Sequence, residues 1–292
     1  MRKQIAILFR KLLTLISPEL NTRFIYYRSF GKRLDLKHPQ TDNEKILWLK
    51  LYKYNNDPLV AQCADKYAVR DYIKKCGCEE ILNELIGVYN DADEIPWKNL
   101  PNKFVLKSNY GSGMNILCFD KSTFDIASAT QEIKKWKHST FHLIKSELQY
   151  ANIKHLILCE RFLASAEGKA PNDYKVYCFD GTPKYVMVCT ERHKYDAKFY
   201  YYDIDGNFQQ KMTDGNNVPG ITSQNKPTEW GKMIEYARIL TKPFPFVRCD
   251  FYIVNSKIYF GELTFTPCAG LDTEEPLYTS QLFGSLINLP TR

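Results

Sequence analysis

The chain has no apolar run long enough to cross a bilayer. Its N-terminal stretch "MRKQIAILFRKLLTLISPEL" runs unbroken only from Ile5 to Phe9, where Arg10 and Lys11 interrupt it. A spanning helix needs about 20 apolar residues, and no signal-peptide cleavage pattern follows. No internal repeat or low-complexity segment is present. There is no C-x-x-C. Cys76-Gly-Cys78 is a close cysteine pair without a His-bearing partner motif, so a zinc site is not expected. The 9 cysteines are odd in number and mostly sit in apolar, strand-like runs, where a free thiol acts as a small hydrophobe. That usage points to a reduced, cytosolic compartment. The common nucleotide signatures are missing too. Without G-x-x-x-x-G-K-[ST] the chain is not a P-loop NTPase. Gly111 and Gly113 begin a G-x-G-x-x-G that Ile116 breaks. The kinase catalytic loop and D-F-G are absent. A formal net charge of +7 permits anionic partners such as nucleotides, acidic glycans or an anionic membrane. With no basic run and no RNA-binding signature, nucleic acid is not expected.

What is present describes a folded protein of more than one lobe. The 292 residues are 44% apolar and 25% charged, which excludes wholesale disorder. Aromatic residues reach 14%, with 20 Tyr and 17 Phe, and favour strand-rich lobes. Residues 1–60 read as helical, with Thr41 or Asp42 as an N-cap and Glu44 in the first turn. Residues 65–77 read as a helix ended by Gly77, and 79–91 as helix then strand. Strands are expected at 104–108, 114–119 and 155–163, with a helix at 124–137 between them. Hairpins are expected at 173–191, around Asp180-Gly181, and at 246–265. "KFYYYDIDG" adds a strand, and 228–242 a helix. Helices and strands mix without βαβ alternation, which favours an α+β fold with antiparallel sheets.

Three places could carry chemistry. On the last hairpin, Arg248 and Asp250 share a strand face, as do Glu262 and Thr264. A three-residue turn, Asn255-Ser256-Lys257, would set Asp250 opposite Glu262 and Arg248 opposite Thr264. A two-residue turn would put the carboxylates on opposite faces. Facing carboxylates repel unless a cation such as Mg²⁺ lies between them; two solvated acids on an exposed face are the alternative. Second, Lys107 precedes "SNYGSG", whose Ser108, Gly111, Ser112 and Gly113 could offer backbone N–H groups to phosphate. Lys66 is a further point charge of the same kind. A plain glycine turn explains the same residues. Third, Glu160 ends an apolar strand and Glu167 follows, either as a strand end entering solvent or as a hinge meeting a nucleotide. Asp173 and Lys175 share a strand face and suit an ion pair. The N-terminal apolar residues recur at helical spacing beside Arg2, Lys3, Arg10 and Lys11. Residues 1–18 therefore suit either an anionic membrane surface or packing on the domain; amphipathic helices usually face a core, which favours packing.

In this order, "DK" at 65–66, "FVLKSNYGSG", "LCERFLASAEG", "VRCDFY" and "GELTFTP" resemble the ATP-grasp superfamily. "NEKILWLKLY", "DKYAVRDYI" and "DYKVYCFDG" extend the likeness to its TupA-like branch, associated with bacterial cell-surface polysaccharides and named for teichuronopeptide synthesis. The resemblance implies two antiparallel-sheet lobes clasping ATP behind a helical N-terminal region. The helical region would be 1–64, a pre-ATP segment 65–100, a small lobe with a glycine-loop lid 101–163, and a large lobe with the metal site 164–292. It implies Lys66, Lys107, Lys175 and the 108–113 loop on the phosphates, with Glu160, Phe162 and Leu163 at the adenine and Glu167 on the ribose. Asp250, Glu262 and Thr264 would hold Mg²⁺, Thr264 standing where the ligases carry Asn. Arg248 and Lys107 would be catalytic. The activity implied is ADP-forming ligation of a carboxylate, an amino acid or a uronic-acid glycan, to an amine. It would take place in the cytoplasm, with contact to the inner face of the membrane as an option. The rivals are a glycosyltransferase of the same glycan pathway and a non-catalytic nucleotide-binding relative. The first would need a D-x-D, for which Asp203 and Asp205 are the available pair.

Overall fold

The structure is a computed structural model that describes residues 2–164, 171–190, 197–213 and 226–291. Two antiparallel sheets face each other across a cleft, behind a helical N-terminal region. In that region α1 (Arg2–Ile16), α2 (Pro18–Phe30), α3 (Asp42–Tyr52), α4 (Pro58–Ala64) and α5 (Val69–Lys75) follow in order. Local chemistry sets their ends. Ser17 caps α2, and Gly31, with φ +67°, closes it. Thr41 and Glu44 form a reciprocal capping box on α3, so Thr41, not Asp42, is the N-cap.

The smaller sheet contains β1 (Leu85–Tyr89), β2 (Phe104–Ser108), β3 (Asn115–Cys118) and β4 (Ile157–Arg161), in the order β1-β4-β2-β3. Between β3 and β4 lie α6 (Ile126–Trp136) and α7 (Phe141–Lys145). Ile133 and Trp136 of α6 pack with Phe104, Leu106 and Cys159 to make this lobe's own core. The larger sheet contains β5 (Asp173–Phe179), β6 (Thr182–Thr190), β7 (Lys198–Asp203), β8 (Phe246–Val254) and β9 (Lys257–Thr264), in the order β7-β6-β5-β8-β9. One side is covered by α8 (Trp230–Thr241), which buries Met233, Ala237 and Leu240. In α9 (Leu277–Leu286), Phe283 packs on Tyr177 and Phe179, with ring centroids 4.8 and 5.4 Å away. The high aromatic content is spent here. This is the α+β architecture that the sequence pattern leads one to expect.

The β8–β9 hairpin reaches the expected register by an unexpected route. Its turn has two residues, Asn255 and Ser256, with φ +49° and +56°, a geometry that matches strand twist. Val254 therefore pairs with Lys257, and Ile253 with Ile258. That register alone would throw the two carboxylates onto opposite faces. A bulge between Asp250 and Phe251 on one strand, opposite Phe260 to Glu262 on the other, restores the alternation. Asp250 then faces Glu262, and Arg248 faces Thr264. Gly261 makes the bulge possible: a Cβ there would stand 2.9 Å from the Asp250 carbonyl oxygen.

The N-terminal helices are pinned to the smaller lobe by polar groups. Thr14 Oγ1 donates to Leu143 O at 2.7 Å and lies 2.8 Å from Ser146 Oγ. Asn21 Nδ2 donates to Thr14 Oγ1 and to Ile144 O, at 2.7 and 3.1 Å. So α1 does pack on the domain, yet through its polar side; Ile5, Leu8, Leu12, Leu15 and Ile16 remain exposed. Among the described residues no helix is long and apolar enough to cross a membrane.

Candidate active site

Strand alternation brings the charged residues of both sheets to the cleft. On β2, Lys107 points into it while Ser108 points to the opposite face, where it lines a small cavity with Tyr110 and Trp136. The Ser108 N–H is committed to Met114 O at 3.0 Å, so neither polar group of Ser108 faces the cleft. Asn109 follows, fully buried, and ties the loop to the "DK" segment. Its Nδ2 donates to Asp65 Oδ1 at 2.9 Å, and Lys66 N donates to Asn109 O at 2.7 Å. Tyr110 is an inward anchor, its ring stacked 4.1 Å from His155 and its hydroxyl donating to Trp136 O at 2.5 Å. The part of the loop that extends over the cleft is Gly111 to Met114. Gly111 and Gly113 both have φ +76°, which a side chain would resist.

A cavity of about 290 Å³ lies under this loop. Lys66, Lys107, Lys175 and Arg248 reach it, together with Asp250 and Glu262. Gly111, Ser112 and Gly113 form its roof. Lys66 Nζ donates to Gly111 O at 2.8 Å and lies 3.7 Å from Glu262 Oε2. Lys175 Nζ bridges Asp173 Oδ2 and Asp250 Oδ2, at 2.5 and 2.7 Å; the ion pair expected of Asp173 and Lys175 thus exists and extends across to β8. Arg248 donates to both oxygens of Asp250, at 2.8 and 2.7 Å. Burial works to raise the Asp250 carboxyl, but Arg248 and Lys175 outweigh it and hold the group below its ordinary value. Desolvation in the cleft likewise opposes ionisation of Glu262, and Lys66 leads the cations that more than reverse it.

Glu160 lies apart from the cavity wall. Its carboxylate accepts from Lys107 Nζ at 2.8 Å and from Asn83 Nδ2 at 3.4 Å, with Arg70 Nη1 3.9 Å away. Its visible role is to position Lys107. Phe162 packs edge-on against Phe119, and neither it nor Leu163 reaches the cavity. Glu167 falls outside the described residues. Thr264 Oγ1 donates to Glu262 Oε1 at 2.9 Å and faces a second cavity. This cavity, about 510 Å³, shares Arg248, Glu262, Gly111, Ser112 and Met114 with the first. Its far wall includes Thr266, at the end of "GELTFTP", with Lys145, Glu147 and Tyr150, which the sequence pattern did not single out. Glu147 Oε1 accepts from Thr266 Oγ1 at 2.7 Å. Behind it the fully buried Lys50 donates to Lys145 O at 2.8 Å. Burial pulls the Lys50 ammonium down to about 8, against the attraction of Glu147. Next to the second cavity Cys268 and Ala269 carry φ +49° and +61°, strained values for residues with a side chain.

The donor set suits a hard divalent cation that brings ligands of its own. Asp250 and Glu262 supply oxygens from facing positions. No cluster of three or more His, Cys, Asp or Glu residues suited to a metal occurs among the described residues, so phosphate oxygens and water would have to complete a shell. Asp203 offers no rival metal site. Its Oδ1 accepts from the N–H groups of Asp205 and Asn207, and its Oδ2 from Asn207 Nδ2, which makes it the organiser of a turn.

Solved structures share this architecture. D-alanine–D-alanine ligase from Bacillus anthracis is 14% identical, with a TM-score of 0.43, over 77% of this chain and 67% of that one. L-amino acid ligase from Bacillus licheniformis is 9% identical, with a TM-score of 0.50, over 84% and 55%. An N5-carboxyaminoimidazole ribonucleotide synthetase in an ADP complex is 16% identical, with a TM-score of 0.44, over 84% and 56%. The chain thus spans a little over half of the length of the last two, and the likeness is one of fold. No curated protein sequence matches the chain. The profile of the TupA-like ATP-grasp family matches residues 44–288, which takes in both sheets and the whole cleft, and the chain belongs to that family.

Proposed function

We propose that the protein is an ATP-dependent ligase that activates a carboxylate as an acyl phosphate and joins it to an amine. One observation carries this reading. The cationic cavity under the glycine loop and the second cavity share Arg248 and Glu262, so a group bound in one lies against a group bound in the other. In the proposal ATP occupies the cleft with its phosphates on Lys66, Lys107, Lys175 and Arg248. Asp250 and Glu262 would hold Mg²⁺, which would neutralise phosphate charge when bound; Thr264, already donating to Glu262, would orient that carboxylate.

A carboxylate oxygen of the second substrate attacks the γ-phosphorus, and the bond to the β-bridging oxygen breaks, releasing ADP. The amine then attacks the acyl carbon. Phosphate leaves, the nitrogen loses a proton, and an amide results. Arg248, at the junction, would stabilise charge on the phosphoryl group in flight. Gly111 to Met114 would exclude water from the acyl phosphate. The TupA-like membership and the surplus of +7 charge support an acidic cell-surface glycan or its precursor as one of the substrates.

Calorimetry with Mg-ATP tests the nucleotide half. Wild type should bind, and Lys107→Ala should bind at least about tenfold more weakly, as expected for loss of a charged phosphate contact. A wild type that does not bind Mg-ATP would end the proposal. An ADP-release screen of uronic acids against amino acids tests the ligase half, and ADP formed only in the presence of both partners is the expected result.

A further inference from the structure

The function leaves one prominent feature unused, the outer face of α1. At 100° per residue, Ile5, Leu8, Phe9, Leu12, Leu15 and Ile16 fall within an arc of about 120°. All six are exposed, from 47% for Phe9 to 76% for Ile16. Thr14, on the opposite side of the helix, is buried and makes the hydrogen bonds that hold α1 to Leu143, Ser146 and Asn21. Phe9 meets Phe24 at one margin of the stripe, with centroids 5.4 Å apart. The helix is thus fixed to the domain without its apolar stripe, which is the reverse of how an amphipathic helix normally packs.

The charge pattern indicates what covers the stripe. Lys11 lies about 40° from its margin, Arg2, Lys3 and Arg10 belong to the same helix, and no acidic residue occurs before Glu19. A second copy docking through the same face would bring these cations together, which is unfavourable. An anionic lipid surface would meet them with opposite charge and would accept an all-apolar stripe that carries no hydrogen-bonding group. The helix has 15 residues, enough to lie along a membrane surface and too few to span it.

We infer that α1 lies in the headgroup region of an anionic membrane, with Leu8, Leu12 and Leu15 in the acyl boundary and the second cavity behind it. The cavity follows because α7, to which Thr14 and Asn21 are pinned, contributes Ile144 and Lys145 to the cavity wall.

Vesicle flotation of the full chain tests this, using vesicles rich in phosphatidylglycerol and vesicles of phosphatidylcholine alone. Wild type should float with the first at least about tenfold more than with the second, and high salt should weaken the association. Leu8→Glu/Leu12→Glu should remain unbound. Both side chains are exposed, so circular dichroism should show an unchanged fold. Should that variant misfold, Lys11→Glu provides the second arm, and it should weaken the preference for phosphatidylglycerol. Wild type that floats with neither vesicle overturns the inference, as does a Leu8→Glu/Leu12→Glu variant that floats like wild type. Lipid-free light scattering that shows a dimer, dissolved by Leu8→Glu/Leu12→Glu, overturns it in favour of a second copy.

Discussion

The β2–β3 hairpin turns through a loop with glycines at Gly111 and Gly113, and its outer strand β3 leaves Asn115 and Leu117 exposed. The β8–β9 hairpin turns tightly at Asn255-Ser256 and carries its charges within the strands, where Lys175 of the neighbouring strand locks them. One holds a lysine at its base and keeps its tip clear of side-chain bulk at Gly111 and Gly113. The other spends a bulge to aim two carboxylates and an arginine at a single point. The difference separates two requirements of the proposed site, which would admit a nucleotide and then react it: a cover with little side-chain bulk, and a platform whose groups are positioned before anything binds.

The largest test strikes the platform. Asp250→Asn leaves the Arg248 guanidinium without its carboxylate and the Lys175 ammonium with Asp173 alone, in a mostly buried position. Removing one partner of such a pair costs about 3–5 kcal/mol. The urea midpoint should fall accordingly, and ADP release should vanish. A variant as stable as wild type would show that the platform is not held by charge.

The next test sets one glycine against another. A Cβ on Gly261 meets the Asp250 backbone, so Gly261→Ala should cost about 1–3 kcal/mol and displace the carboxylates. A Cβ on Gly113 meets nothing within 4 Å. Gly113→Ala should cost only about 1 kcal/mol, for its positive φ, and slow turnover without unsettling the fold. Urea melts paired with turnover rates would resolve the two, and a reversed order of stability would break the comparison.

The smallest effect is one of pH at the base of the lid. Burial works to raise the Glu160 carboxyl, and Lys107, aided by Arg70 and Asn83, brings it below its ordinary value of 4.5. A depressed folded value adds stability that is present above 4.5 and lost as pH falls through the folded value. Lys107→Met should therefore be less stable than wild type at neutral pH, with the gap closing as pH falls below 4.5. Thermal melts across that range provide the measurement.

How much of this the sequence shows depends on the range of the interaction. Hairpins, caps and strand faces are local, and Asp180-Gly181, Thr41 with Glu44, and Arg248 with Asp250 were legible as patterns. The pairing of Asp250 with Glu262 was legible too, though the turn is one residue shorter than the pattern suggested. The bulge at Gly261 compensates, and a glycine inside a strand was the available sign of it. The bond from Asn109 to Asp65, the Glu160–Lys107–Arg70 cluster and the wall formed by Glu147 and Thr266 join residues 44, 53 and 119 positions apart. No periodicity reports contacts of that range. The outward face of α1 stayed open for a different reason: amphipathicity shows that a stripe exists and leaves open which way it turns.

The Lys66 ammonium reaches both hairpins at once. One of its three donors is spent on the Gly111 carbonyl, while Glu262 stands 3.7 Å away. An incoming phosphate oxygen would draw the ammonium toward the cavity and away from that carbonyl. If the phosphate wins, the count of hydrogen bonds to the ammonium is unchanged and the roof is released from its catch. Lys66 thus has the geometry of a latch whose key is the ligand, so the loop's freedom to move would be set by occupancy of the cavity beneath it.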